Sequence, residues 1–83
     1  MVDKIIKISA PWCGPCKMLK QELSDFDVVP IIELDADDNA EEVDKYNVRS
    51  IPTLIFLNDK GEEVGRHVGL LTKTTLMQKI NEL

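Results

Sequence analysis

The chain has 83 residues with a net charge of −5 at pH 7, and 43% of its residues are hydrophobic and 30% charged. These proportions are ordinary for a folded globular protein, and the length predicts one domain spanning residues 1–83. The acidic balance argues against nucleic-acid binding, which needs a basic surface, and no apolar run approaches the ~20 residues of a membrane span. No cleavage-site pattern follows the first residues, so the default location is the cytoplasm.

Hydrophobic periodicity predicts alternating strands and helices along the chain. A β-branched segment, Lys4–Ser9, predicts the first strand, and apolar spacing predicts a helix over residues 13 to about 26. The following segments predict a second strand at 28–34 and a short helix at about 40–46. Two strands joined by a tight turn are predicted at 53–57 and 62–68, and a last helix from residue 72 onward. The order is β-α-β-α-β-β-α. Met18, Leu76, Met77, Ile80 and Leu83 are expected to face the core.

Both cysteines of the chain lie in the segment APWCGPCKM. A disulfide between Cys13 and Cys16 would close a four-residue loop and remove little chain entropy, so a stabilising cross-link is a poor interpretation. Structural zinc needs four ligands, but the chain has no other cysteine and only one histidine, the distant His67. Redox chemistry is the favoured interpretation.

The spacing of the two cysteines suits that chemistry. If the first strand ends near Ala10, Cys13 lies at the start of the next helix, where unpaired N–H groups and the helix dipole favour a thiolate and lower its pKa. Cys16 follows one turn later, within the Cα separation of ~4.4–6.8 Å that a disulfide accepts. Gly14 lets another backbone approach, and Pro15 suits the first helical turn. The pattern predicts a dithiol that attacks a disulfide and resolves the mixed intermediate itself.

The segment WCGPCK at residues 12–17 resembles the active site of the thioredoxins, and the resemblance continues through SIPTL at 50–54 and VGL at 68–70. Thioredoxins have a further strand and helix before the position of Ile5. The resemblance therefore implies a short, N-terminally truncated α/β protein with the minimal thioredoxin fold. We expect a four-stranded mixed sheet in the order 2-1-3-4, with strands 1 and 2 parallel and strands 3 and 4 antiparallel to strand 1.

The resemblance also implies roles for individual residues. Cys13 would be the exposed nucleophile and Cys16 the more buried resolving thiol. The Ile51–Pro52 bond would be cis, with Pro52 against the disulfide; an X-Pro bond pays only ~0.5–1 kcal/mol for this form. The implied docking surface for protein substrates consists of Trp12, Gly14, Pro15, Ile51, Pro52 and Gly69.

The sequence departs from the family pattern at Lys7, where thioredoxins usually carry a buried aspartate that serves proton transfer at the resolving thiol. Strand alternation places Lys7 on the same sheet face as Ile5 and Ser9. Two interpretations stay open. Lys7 reaches solvent across that face, or it lowers the pKa values of the thiols and shifts the redox potential.

The segment DADDN at residues 35–39 begins like a calcium-binding loop. However, Ala40 and Tyr46 stand where that motif needs glycine and glutamate. Helix capping is the favoured interpretation of these polar residues.

The sequence thus predicts a thiol–disulfide oxidoreductase that reduces disulfides in protein substrates through Cys13 and Cys16. It is expected to use no metal or bound cofactor, to take electrons from a thioredoxin-reductase-like partner and to act as a monomer in the cytoplasm, away from membranes. Two alternatives remain open. One is glutaredoxin-like reduction of glutathione mixed disulfides, and the other is a thioredoxin-fold binding or accessory module.

Overall fold

Four strands and three helices follow one another in the predicted order. A computed structural model describes the whole sequence, residues 1–83. The elements are β1 (Lys4–Ser9), α1 (Gly14–Glu22), β2 (Ile31–Asp35), α2 (Ala40–Lys45), β3 (Thr53–Leu57), β4 (Glu63–Val68) and α3 (Lys73–Glu82). None of the three helices has the length and apolar character needed to cross a membrane.

The strands form one mixed sheet in the order β2-β1-β3-β4, as predicted. β1 pairs in parallel with β2 and antiparallel with β3. β4 pairs antiparallel with β3 and therefore runs in the same direction as β1. The expectation that strand 4 opposes strand 1 is wrong, because the tight turn after β3 reverses the chain a second time.

Two element boundaries differ from the prediction by three residues or more. α1 ends at Glu22 rather than near residue 26, because Leu23 has φ −99° and ψ 13° and closes the helix as its C-cap. β2 begins at Ile31 rather than at residue 28. Pro30, directly before it, has no N–H to give to a ladder, although its carbonyl oxygen accepts the Ile5 N–H at 2.9 Å.

The sheet buries a separate hydrophobic cluster on each side. We call one side the α1–α3 face, because β1 and β3 pack there against α1 and α3; its buried residues are Val2, Ile5, Leu19, Leu23, Leu54, Phe56 and Leu76. The other side is the α2 face, where α2 and its flanking segments cover Ile6, Ile8, Ile55 and Leu57. The alternation predicted for β1 is therefore confirmed.

Some residues expected in the core lie at the surface instead. Met18 is 58% exposed, Met77 40% and Leu83 41%. α1 and α3 each pack one narrow stripe onto the sheet, centred on Leu19 and Leu76, and no further layer covers their outer sides. A methionine one position away from such a stripe is rotated out of it by the helical period.

Candidate active site

The two cysteines form a disulfide bond at the start of α1. Cys13 is the N-cap residue, and its Sγ accepts a hydrogen bond from the backbone N–H of Cys16 at 3.2 Å. Their Cα atoms are 5.2 Å apart, within the range expected from the spacing. The helix N-terminus therefore directs a donor at the Cys13 sulfur, an arrangement that stabilises a thiolate once the bond is reduced.

The two sulfurs do not differ much in exposure. Cys13 is 5% exposed and Cys16 3% exposed. The predicted contrast between an exposed and a buried cysteine is therefore absent in this disulfide form. Both residues share a small buried cluster with Ala10, against which Ile51 packs.

The segment around Ile51 brings a second part of the predicted site to the disulfide. The Ile51–Pro52 bond is cis, as predicted. Pro52 is fully buried, and its carbonyl oxygen accepts the Gly69 N–H at 2.8 Å. Gly69 has φ +94°, a conformation that L side chains rarely adopt. This hydrogen bond ties the Gly69 turn to the cis-proline segment beside the cysteines.

The remaining predicted docking residues lie at the surface next to α1. Gly14 and Pro15 form its exposed first turn, and a Cβ at Gly14 would have no neighbour within 4 Å. Trp12 is 69% exposed, and its indole Nε1 donates to Asp37 Oδ2 at 2.9 Å. An exposed, tethered indole beside an open backbone turn suits contact with another chain.

Asp37 is a site residue that the sequence analysis missed. It belongs to the segment at 35–39, for which helix capping was expected. Asn39 is the N-cap of α2 by position but makes no side-chain capping bond, so that expectation is wrong. The signal for Asp37 lies in the topology. Trp12 follows β1 and Asp37 follows β2, and the carboxyl ends of parallel neighbours meet at one edge of the sheet.

Lys7 does not reach solvent. Its side chain is 5% exposed, and its Nζ lies 3.0 Å from Glu33 Oε1, on the residue that faces it across the parallel β1–β2 pair. The interpretation in which Lys7 extends into water is therefore wrong. A buried ammonium requires a partner of opposite charge, and Glu33 provides it.

Glu33 is the second residue that the sequence analysis missed. Its pKa lies below the ordinary value, chiefly because the Lys7 ammonium contacts the carboxylate. Partial burial opposes this lowering, while Lys20 and Ser9 add to it. Glu33 lines a cleft that also exposes part of Cys16, so the ion pair borders the redox site.

The charged side chains of the protein are not arranged to bind a metal ion. No group of three or more His, Cys, Asp or Glu residues lies close enough together to hold one. The groups that the structure places at the start of α1 are the two sulfurs, the helix N-terminus and the neighbouring ion pair.

Comparisons with known proteins agree on one family. The thioredoxin family model matches residues 2–82. A thioredoxin of Bacillus subtilis is 44% identical over 78 residues, covering 88% of this chain and 74% of the relative. A thioredoxin of Chlamydia trachomatis is 42% identical over 82 residues, covering 94% and 79%. The solved structure of a mutant thioredoxin from Halobacterium salinarum NRC-1 is similar, with a TM-score of 0.84 and 33% identity over 95% of this chain and 72% of that one.

Proposed function

The chain belongs to the thioredoxin family and is a thiol–disulfide oxidoreductase, and from this premise we propose that Cys13 is its nucleophile and Cys16 its resolving thiol. The protein is a protein-disulfide reductase. One observation supports the division of roles above all others. Cys13 Sγ is the cap of α1 and receives the N–H of Cys16, whereas Cys16 lies one turn into the helix. The sulfur that receives the hydrogen bond is the better thiolate.

The exchange proceeds in two displacements. The Cys13 thiolate attacks one sulfur of the target disulfide, and the other target sulfur leaves with the electron pair and takes up a proton. Cys16 Sγ then attacks Cys13 Sγ in the mixed disulfide, and the second target sulfur leaves as a thiolate. Two target sulfurs are reduced while Cys13 and Cys16 are oxidised to the disulfide seen in the structure.

The proposed docking surface surrounds the Cys13 side of the disulfide. Its exposed or half-buried residues are Trp12, Gly14, Pro15, Ile51 and Gly69, whereas Pro52, predicted with them, is fully buried and supports the surface through its carbonyl oxygen, which accepts the Gly69 N–H. Two features support this assignment. Trp12 is an exposed apolar residue held in place by Asp37, and neither Gly14 nor Gly69 has a neighbour that would block an approaching backbone. An aromatic anchor beside open main chain suits an extended segment of a protein substrate.

Regeneration of the dithiol requires an external electron donor, because two cysteines supply only one pair of electrons per cycle. We assign this role to a thioredoxin-reductase-like partner, with the protein acting as a monomer in the cytoplasm. Reduction of targets continues only where electrons regenerate the dithiol, and a reducing compartment such as the cytoplasm supplies them.

The proposal is tested by insulin reduction with thioredoxin reductase and NADPH. Cys13→Ser is expected to abolish turnover and to form no adduct with the substrate. Cys16→Ser is also expected to be inactive but to accumulate a mixed disulfide at Cys13, visible by mass spectrometry. Met77→Ser, which removes a sulfur far from the site, serves as the control and should retain normal turnover.

Two outcomes would contradict the assignment. Adduct formation in Cys13→Ser but not in Cys16→Ser would reverse the roles of the cysteines. Faster turnover with glutathione and glutathione reductase than with thioredoxin reductase would favour the glutaredoxin-like alternative.

A further inference from the structure

The second displacement needs a proton acceptor. The thiolate, not the thiol, is the nucleophile in disulfide exchange, so Cys16 must lose its proton to attack Cys13. Cys16 is 3% exposed, and the cleft that it shares with Glu33 is its route to solvent. The usual buried aspartate of the family is replaced by Lys7, a cation, which cannot accept a proton while charged.

Glu33 has the position that this step requires. It lies on β2 opposite Lys7 and on the same sheet face as α1, the helix that carries Cys16. Glu33 and Cys16 line one cleft of about 460 Å³. Since a water molecule occupies ~30 Å³, this cleft can hold the short chain of waters needed to carry a proton between the two groups.

We propose that Glu33 is the proton-transfer residue for Cys16, and that Lys7 is a positioning residue that holds the Glu33 carboxylate in place. The proposal rests on the role of Cys16 as the resolving thiol. The proposed proton acceptor lies on β2, whereas the aspartate usual in the family would lie on β1, at the position of Lys7.

Other groups beside the cleft are less suited to the task. Asp35 also lines it, with Oδ1 accepting the Asp37 N–H at 2.9 Å, but no cation pairs with its carboxylate, whereas Lys7 pairs with that of Glu33. Lys17 and Lys20 are cations that cannot accept a proton. Five charged residues face Glu33. They are Lys7 on β1, Lys17 and Lys20 on α1, Asp35 on β2, and Asp27 in the segment before β2.

The Lys7 ammonium solves an electrostatic problem that a lone carboxylate would create. A negative charge near Cys16 opposes formation of the thiolate, while a positive charge favours it. With Lys7 Nζ 3.0 Å from Glu33 Oε1, each charge opposes the electric field of the other in the surroundings of the pair. Glu33 therefore accepts a proton with little electrostatic penalty to the sulfur.

The Cys16 thiol proton passes through water to Glu33, Cys16 Sγ bonds to Cys13 Sγ, and the bond from Cys13 to the target sulfur breaks. The electron pair of that bond leaves on the target sulfur. Glu33 returns the proton to this sulfur or to water, so the carboxylate is regenerated in each cycle.

A stopped-flow experiment separates the two displacements. The fully reduced protein is mixed with an aromatic disulfide, 5,5′-dithiobis(2-nitrobenzoate), which releases one coloured thiol when Cys13 attacks and a second when Cys16 resolves the mixed disulfide. In Glu33→Gln the first phase should keep its rate at pH 7. The second phase should slow by about 10- to 100-fold. General bases typically contribute ~10²–10⁴-fold, and Glu33 should lie at or below the low end of that range because contact with Lys7 weakens the carboxylate as a base.

The pH profile distinguishes proton transfer from a structural defect. In Glu33→Gln the second-phase rate should rise about tenfold per pH unit and reach the wild-type rate at alkaline pH, where Cys16 ionises without help. A structural defect would slow the phase equally at every pH. Glu82→Gln, which removes an exposed carboxylate on α3, is the matched control and should show wild-type kinetics.

Glu33→Gln leaves the buried Lys7 ammonium without its partner, and a double variant controls for the effect of that unpaired charge. Lys7→Met combined with Glu33→Gln removes both charges and should show the same slow second phase as Glu33→Gln alone. An unchanged or faster second phase in the double variant would overturn the proposal. Cys16→Ser lacks the second phase altogether, so failure of the proposed cysteine roles is distinguishable from failure of the Glu33 assignment.

Discussion

β1 directs different kinds of side chain to the two faces of the sheet. On the α2 face, β1 contributes Ile6 and Ile8, and the buried polar residue beside them is the uncharged Thr53, whose hydroxyl donates to the Ser50 carbonyl oxygen. On the α1–α3 face, β1 contributes Ile5 and then two buried polar residues, Lys7 and Ser9. The polar pair lies at the end of β1 that leads to the cysteines.

The difference shows where the protein accepts an energetic cost. Burying an ammonium costs several kcal/mol unless a partner offsets it, and an apolar pair at positions 7 and 33 would be at least as stable. The α2 face avoids that cost and supports the sheet. The α1–α3 face accepts it next to Cys16, where a charged pair can act on the chemistry.

Placing a lysine on the α2 face should have the largest effect. Ile8→Lys places an ammonium where the side chain is 0% exposed and where Leu34 replaces Glu33 as the partner on β2. We expect a loss of roughly 3–5 kcal/mol in the free energy of unfolding. The total for 83 residues is roughly 4–12 kcal/mol, so a large fraction of molecules should unfold.

Urea denaturation followed by circular dichroism measures this loss. Ile32→Lys is the matched control, since Ile32 lies on the same face but is 41% exposed at the edge strand. It should cost less than about 1 kcal/mol. Equal losses in the two variants would show that the α2 face tolerates a buried charge.

A cavity on the α1–α3 face should separate stability from chemistry. Leu76 is 0% exposed and is the only α3 residue in the buried cluster. Leu76→Ala should lower the free energy of unfolding by about 2–5 kcal/mol. Met77→Ala, on the exposed side of the same helix, should cost less than about 1 kcal/mol.

The rate of insulin reduction per folded Leu76→Ala molecule should stay at the wild-type value, because the cluster around the cysteines is separate from that around Leu76. A fall in this rate with full folding, checked by circular dichroism, would mean that α3 packing also sets the geometry of the site.

The smallest effect is expected from neutralising the buried cation. Lys7→Met should change the free energy of unfolding at pH 7 by no more than about 1 kcal/mol in either direction, because lost pairing is offset by relief from burying the charge. The change should appear in the pH dependence. The folded-state pKa of Glu33 is below its ordinary 4.5, so the pair stabilises the fold above about pH 4.5 and loses that contribution as the pH falls through the lowered pKa.

Lys7→Met removes the main cause of the lowered Glu33 pKa, and its stability curve should therefore be flatter below about pH 4.5. Since Glu33 is 42% exposed, the difference should stay below about 1 kcal/mol. Lys60→Met changes the net charge equally in an exposed turn and should keep the wild-type slope. Identical slopes in all three proteins would remove the ion pair from the acid response.

Local patterns predicted the parts of the molecule that depend on neighbours in the sequence. β1, β3 and the start of α1 follow from β-branched runs and from the cap position of Cys13, and the structure agrees at these points. The end of α1 was predicted too late, since an apolar residue at Phe26 continues the helical period although the chain has already turned at Leu23. Periodicity records which side is apolar and does not record where the backbone leaves the helix.

The amino-acid sequence alone determined the order of the elements, the faces of β1 and the identity of the sulfur pair, because each depends on spacing over a few residues. Only the tertiary structure decided that Lys7 meets Glu33, that Asp37 holds Trp12 and that the α1–α3 face carries the buried charge. These pairs are separated by 25 or 26 residues, and they form only when β1 and β2 align in parallel and bring their matching positions and their carboxyl ends side by side.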